Sequence, residues 1–138
     1  VVLHPQWSCR LAACSAEADG LQLLQQLDSD QLLAILRGSL ALVSASFEEG
    51  FDYPVLEAKA EGIPTLLSEI PVHAEFHANS SLFFPAENGG RMFAAELSRL
   101  LDDGQLWKDL STAGRDLALS LSVTRQQSAI NAYIAQLT

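Results

Sequence analysis

Two glutamates, Glu49 and Glu57, enclose the seven residues Gly50-Phe51-Asp52-Tyr53-Pro54-Val55-Leu56. The first precedes a glycine-containing turn. The second falls in the first turn of a helix opened by Pro54, where a missing N–H removes no helical bond. Backbone N–H groups between the two acids lie at the positive end of that helix, which favours an anion. Carboxylates accept hydrogen bonds from hydroxyls. Acceptors at both ends and N–H donors between them suit a ligand with hydroxyls at its ends and phosphate in its middle, such as a nucleotide-sugar.

Each residue also has a plainer reading. Glu49 is either an acceptor for sugar hydroxyls and a stabiliser of developing positive charge, or a solvated loop acid. Glu57 is either an acceptor for a ribose diol, as acids are in other dinucleotide sites, or an acid that the helix dipole favours by about 0.3–1 kcal/mol. Pattern alone leaves both standing. Gly50 permits a close ligand approach. Phe51 reads as packing beneath the loop, while Tyr53 either packs there or walls a sugar or base. His73 and His77 read as surface histidines in a loop after Pro71, since one nearby acid, Glu75, makes a weak metal set. The chain has no Gly-x-Gly-x-x-Gly fingerprint, phosphate-loop lysine or Ser-His-Asp signature.

The elements that must carry this turn alternate between strand and helix. Val1–His4 reads as a strand, residues 10–18 as a helix, and Leu21–Leu27, though ambiguous, as a strand. Asp28-Ser29-Asp30 offers an N-cap for a helix ending at Gly38. Ser39–Ser44 reads as a buried strand. The helix that Pro54 opens stops at Gly62, with Pro64 beyond it. Thr65–Leu67 and Ser81–Phe84 are further strands. From Gly89 onward the pattern is helical, with stripes Phe93, Leu97, Leu100, Leu101 and Leu106, Leu110, Ala113, Leu117. A last helix from about Thr124 places Ile130, Tyr133, Ile134 and Leu137 on one face. Alternation with short connections implies a Rossmann-like parallel sheet flanked by helices, with a helical C-terminal segment. Ligands of such sheets bind beyond the carboxyl ends of the strands, where the Glu49–Glu57 turn falls.

The 138 residues are read as one domain spanning 1–138. Eight basic against seventeen acidic residues give a net charge of −9, which speaks against nucleic acid or an anionic membrane surface as partner. No apolar run reaches the roughly twenty residues of a membrane span. Cys9 and Cys14 lack a zinc-site spacing and read as small core residues in a reducing, cytoplasmic setting. Opening on Val1 without an initiator Met, the chain reads as a fragment or excised domain.

The stretch Ser46-Phe47-Glu48-Glu49-Gly50-Phe51-Asp52-Tyr53-Pro54-Val55-Leu56-Glu57-Ala58-Lys59-Ala60-Glu61-Gly62-Ile63-Pro64 resembles the signature of family-4-type retaining glycosyltransferases. Glu69–Glu75 and Leu82–Pro85 resemble the family's next two segments, and the likeness runs from about Leu21 to Thr138. It implies the C-terminal, donor-binding half of a two-domain GT-B enzyme, a partial nucleotide-sugar-binding domain whose N-terminal acceptor domain is missing. By the resemblance Glu49 contacts the donor sugar as the catalytic residue, and Glu57 takes the ribose hydroxyls. Donor binding extends over Gly50, Phe51, Asp52, Tyr53, Val55 and Leu56. The family retains anomeric configuration and needs no metal or other cofactor, the helix N-terminus standing in for a cation on the diphosphate. Two departures stand out. Asp52 occupies the place of a usual glycine, and the basic pair expected before Glu49 is absent, leaving Arg10 and Arg37. This chain alone is therefore expected to be inactive, and a non-catalytic glycosyltransferase-like interaction domain is the alternative. An epimerase or phosphorylase of the same architecture is a third reading.

Overall fold

The computed structural model describes Leu24 and residues 26–137. The expected strand at Val1–His4, the helix at 10–18, and both cysteines lie outside the described residues. Of Leu21–Leu27, the described residues Leu24, Gln26 and Leu27 are not in a strand. The chain divides into two compact units with the boundary after Ile35.

In the first unit begins helix α1 (Ser29–Arg37). Its entry is a reciprocal cap: Gln31 N–H donates to Asp28 Oδ1 at 2.8 Å, and Asp28 N–H donates to Gln31 Oε1 at 3.1 Å. Two amides that helix geometry would leave without partners are thereby satisfied.

The second unit runs β1 (Leu42–Ser44), α2 (Tyr53–Ala60), β2 (Thr65–Glu69), α3 (Pro71–His77), β3 (Leu82–Pro85), α4 (Gly90–Asp102), α5 (Gly104–Ser120) and α6 (Val123–Leu137). The strands are parallel in the order β1-β2-β3, with Leu42 opposite Thr65 and Leu66 opposite Leu82. Parallel neighbours require crossovers, which α2 and α3 supply. The expected parallel sheet flanked by helices, with a helical C-terminal segment, is what forms.

Burial follows strand position. In β2, Thr65 through Ser68 are wholly buried, as a strand covered on both faces should be. Leu66 joins Leu82, Phe84, Leu100 and Leu110 in the main core, with Phe93, Leu97, Leu106 and Trp107 packed against it. The stripe of α4 thus meets this core through Phe93, Leu97 and Leu100, whereas α5 reaches it only through Leu106, Trp107 and Leu110 and packs mainly on α2. Leu101 departs from its expected stripe and faces solvent. The strand expected at Ser39–Ser44 is shorter and half-buried: among the described residues β1 pairs only with β2, and Val43 points outward. Among the described residues β1 stands at the edge of the sheet and is covered less than the central β2.

Helix α2 ends as its sequence requires. Gly62 adopts φ +75°, the left-handed conformation in which a Cβ is penalised. Helix α5 serves the freed carbonyls: Arg115 donates to Glu61 C=O at 3.1 Å and Ser111 Oγ to Gly62 C=O at 2.6 Å. α5 is itself capped by Asp103, whose carboxylate accepts from the N–H groups of Gln105 and Leu106. Among the described residues no helix is long and apolar enough to cross a membrane.

Candidate functional site

The turn between β1 and α2 leaves from the carboxyl end of the sheet, and both glutamates face solvent there. Ser46 Oγ donates to Glu49 Oε1 at 2.7 Å. Glu57 lies not in the first turn of α2 but in its second, because the helix already begins at Tyr53, and it makes no ion pair among the described residues. It opens instead onto a cleft of about 490 Å³, bordered by Phe51, Tyr53 and Glu57 on one side and by Ala118, Val123 and Gln126 on the other. The cleft is shallow and open to solvent, with mostly apolar walls in which Glu57 and Gln126 are polar.

The remaining expected site residues divide. Gly50 is open, with nothing near where a Cβ would stand. Phe51 is half-buried and packs on Phe76 and Tyr53, with ring centroids 5.2 and 5.3 Å away, as the reading of it as a packing residue requires. Tyr53 is 69% exposed and stands at the cleft mouth. Leu56 is half-buried and lines the same cleft. Val55 is wholly buried, and its N–H donates to Asp52 C=O at 3.1 Å. Leu56 N–H falls within the helical ladder and Pro54 has none. The row of outward amides expected from Gly50 to Leu56 therefore narrows to those before Pro54.

Asp52 turns inward. It has φ +59°, is 8% exposed, and makes no side-chain cap to α2. Left-handed backbone at a non-glycine residue costs about 1–2 kcal/mol, so something must hold it. Asp52 Oδ2 accepts from Ser44 Oγ at 2.6 Å and lies 3.0 Å from His73 Nε2. His73 Nδ1 in turn lies 2.8 Å from Ser68 C=O. A carbonyl only accepts, so Nδ1 carries a proton. Asp52 Oδ2 thus sits between Ser44 Oγ and His73 Nε2. Ser68 Oγ donates to Ser46 C=O at 2.6 Å, returning to the residue that holds Glu49.

The histidines are thus not on the surface. His73 and His77 are both wholly buried on α3, a helix that replaces the expected loop. Pro71 begins that helix rather than preventing it, by the same N-terminal logic as Pro54. Behind them Lys59, also wholly buried, donates from Nζ to Ser80 Oγ. Burial pushes its pKa down to about 7. His77 is pushed down to about 4 by burial first, then by Lys59 and His73. Both its ring nitrogens lack a hydrogen-bond partner among the described residues. Nothing in the sequence pairs Asp52 with His73. The one available signal was an aspartate standing in a turn where glycine is the easier residue.

Arg37, the described member of the two arginines before Glu49, is bound in an exposed ion pair with Glu61 at 2.7 Å. The bond raises the arginine's pKa and lowers that of the glutamate. Among the described residues no group of three or more His, Cys, Asp or Glu side chains is placed to hold a metal ion.

The chain is similar to several known proteins. The chain is 33% identical over 70 residues to Glycosyltransferase 1 domain-containing protein 1 of Xenopus tropicalis. It is 34% identical over 65 residues to the O-antigen chain mannosyltransferase RfbU of Salmonella typhimurium. These matches take in 49% and 47% of this chain but only 20% and 18% of those proteins. The sucrose-phosphate synthase structure from Thermosynechococcus elongatus superposes on 99% of this chain and 38% of its own, with a TM-score of 0.76 at 21% identity. That likeness shows the fold, the α/β layering of GT-B glycosyltransferases. The family model described as glycosyl transferases group 1 matches residues 8–117, a span that holds both glutamates and the three described strands, and the chain belongs to that family.

Proposed function

We infer that this chain is the C-terminal, donor-binding domain of a retaining glycosyltransferase that moves a sugar from a nucleotide-sugar to an acceptor hydroxyl. The observation that carries this reading is the joint exposure of Glu49, on the turn that follows β1, and of Glu57, in the second turn of α2, with Glu57 on a cleft. Glu49 takes the donor sugar's hydroxyls and Glu57 the ribose diol. Amides from Gly50 to Tyr53 meet the diphosphate, which is favoured at a helix N-terminus. In the transfer the anomeric carbon's bond to diphosphate oxygen breaks, and one to the acceptor oxygen forms on the same face. The acceptor proton leaves on the diphosphate, and no metal is required. The acceptor side belongs to an N-terminal domain outside this chain, so the chain alone is inactive. Because one relative is by name a mannosyltransferase, a mannose-bearing donor is the first to try.

A second reading, a non-catalytic interaction domain, is favoured by one observation. Arg37 is already paired with Glu61 and leaves no described basic residue before Glu49 to grip diphosphate. Titration calorimetry of the intact protein with UDP-, GDP- and ADP-sugars separates the two. Binding that Glu57→Ala abolishes supports the enzyme; no heat with any donor supports the interaction domain.

A further inference from the structure

We propose that Asp52 and His73 are positioning residues that hold the Glu49 turn in its working shape, and that the Asp52 carboxylate does not touch the donor. This rests on the donor-binding reading for its purpose, though not for its geometry.

Hydrogen bonds tie the turn at three places. At its base, Ser44 Oγ to Asp52 Oδ2 joins the last residue of β1 to the residue that precedes α2. Near its crest, Ser46 Oγ holds Glu49. Between them, His73 fastens Asp52 to α3 and to the end of β2 through Ser68, whose hydroxyl reaches Ser46 C=O. Glu49 itself is exposed and has no described partner other than Ser46. A catalytic carboxylate on so open a loop needs its backbone held, because misplacement by about 1 Å can cost on the order of 100-fold in rate. Glycine would accept the φ of +59° at Asp52 without strain. Aspartate there trades backbone ease for a buried anchor, and its inward carboxylate keeps negative charge away from an incoming diphosphate.

The test uses amide hydrogen exchange and donor kinetics on the intact protein. Asp52→Gly relieves the backbone yet removes the anchor. Exchange over residues 46–53 should rise about tenfold or more, beyond any change in β2 and α5. His73→Gln should do the same. Turnover should fall by about 10- to 100-fold in kcat with KM for the sugar nucleotide within about twofold. Asp52→Asn, which keeps an acceptor for Ser44, should restore most of the kcat. Unchanged exchange with a raised KM would make Asp52 a direct donor contact and overturn the proposal. Should Asp52→Gly fail to fold, Ser44→Ala removes one bond to the same oxygen and is read in the same way. Were the unaltered protein to bind no sugar nucleotide, the donor reading would fail while exchange still decided the anchor.

Discussion

His73 and His77 lie one turn apart on α3, both wholly buried, yet they are opposites. His73 has an acceptor at each ring nitrogen, whereas His77 has no described partner at either. Each faces one end of α2: His73 meets the residue before its first turn, and His77 feels the Lys59 charge near its last. The contrast separates two uses of buried polarity. A bonded pair fixes geometry, because breaking it leaves an uncompensated group in a poor dielectric. A buried base without a counter-charge, as His77 and Lys59 are, makes the fold sensitive to protons instead.

Four substitutions test how far this contrast holds. The largest effect belongs to the bonded side: Asp52→Ala should lower stability by about 3 kcal/mol in urea denaturation, the usual toll of breaking a buried pair. A loss near zero would place the Asp52–His73 bond with exposed pairs. On the other side, Lys59→Met should raise stability at pH 6 by about 1–3 kcal/mol, since a buried charge without a carboxylate is replaced by an apolar chain of similar length. The sign of its pH dependence comes from proton counts. Folded Lys59 holds its proton only up to about pH 7, whereas the ordinary value is 10.5. Between those values the unfolded chain binds more protons, so stability climbs with rising pH. Lys59→Met should flatten that climb in melting curves taken from pH 7 to 10.

A smaller change is expected from His77→Leu. Stability at pH 7 should move by about 1 kcal/mol or less, because a neutral ring without described partners is exchanged for an apolar one. The climb between about pH 4 and the ordinary 6.5 should disappear with it. Smallest of all, Arg37→Ala removes an ion pair whose arginine is 61% exposed. Its loss should change the melting transition by about 0.5 kcal/mol or less, and salt should erase even that.

Much of this was legible along the chain. Leu66 and Leu67 announced a buried strand, and Phe93, Leu97 and Leu100 a helix face, because apolar periodicity reports burial directly. Gly62 and Pro64 marked the end of α2 for the same local reason they end it in space. The exposed pair Glu49 and Glu57 followed from a turn beside a proline-initiated helix. The histidines were misread because α3 has only seven residues, too few for a period to emerge, and because a histidine counts as polar wherever it sits. Lys59, within Leu56-Glu57-Ala58-Lys59-Ala60, looks like any solvated helix lysine. Its burial is decided by α5, where Gly114 has no side chain and so lets the lysine stem lie against the helix; a Cβ there would stand 3.1 Å from Lys59 Cγ.

The amino-acid order by itself determined the alternation of strand and helix, the breakpoints between them, and the edge of the sheet that carries the two outward carboxylates. Those are matters of local periodicity and turn chemistry, resolved within a few residues of one another. Folding alone decided which ionisable groups are enclosed and with whom: Asp52 meets His73, and Lys59 lies beneath Gly114, only when distant segments pack. The energy of a buried charge depends on every neighbour brought to it in three dimensions.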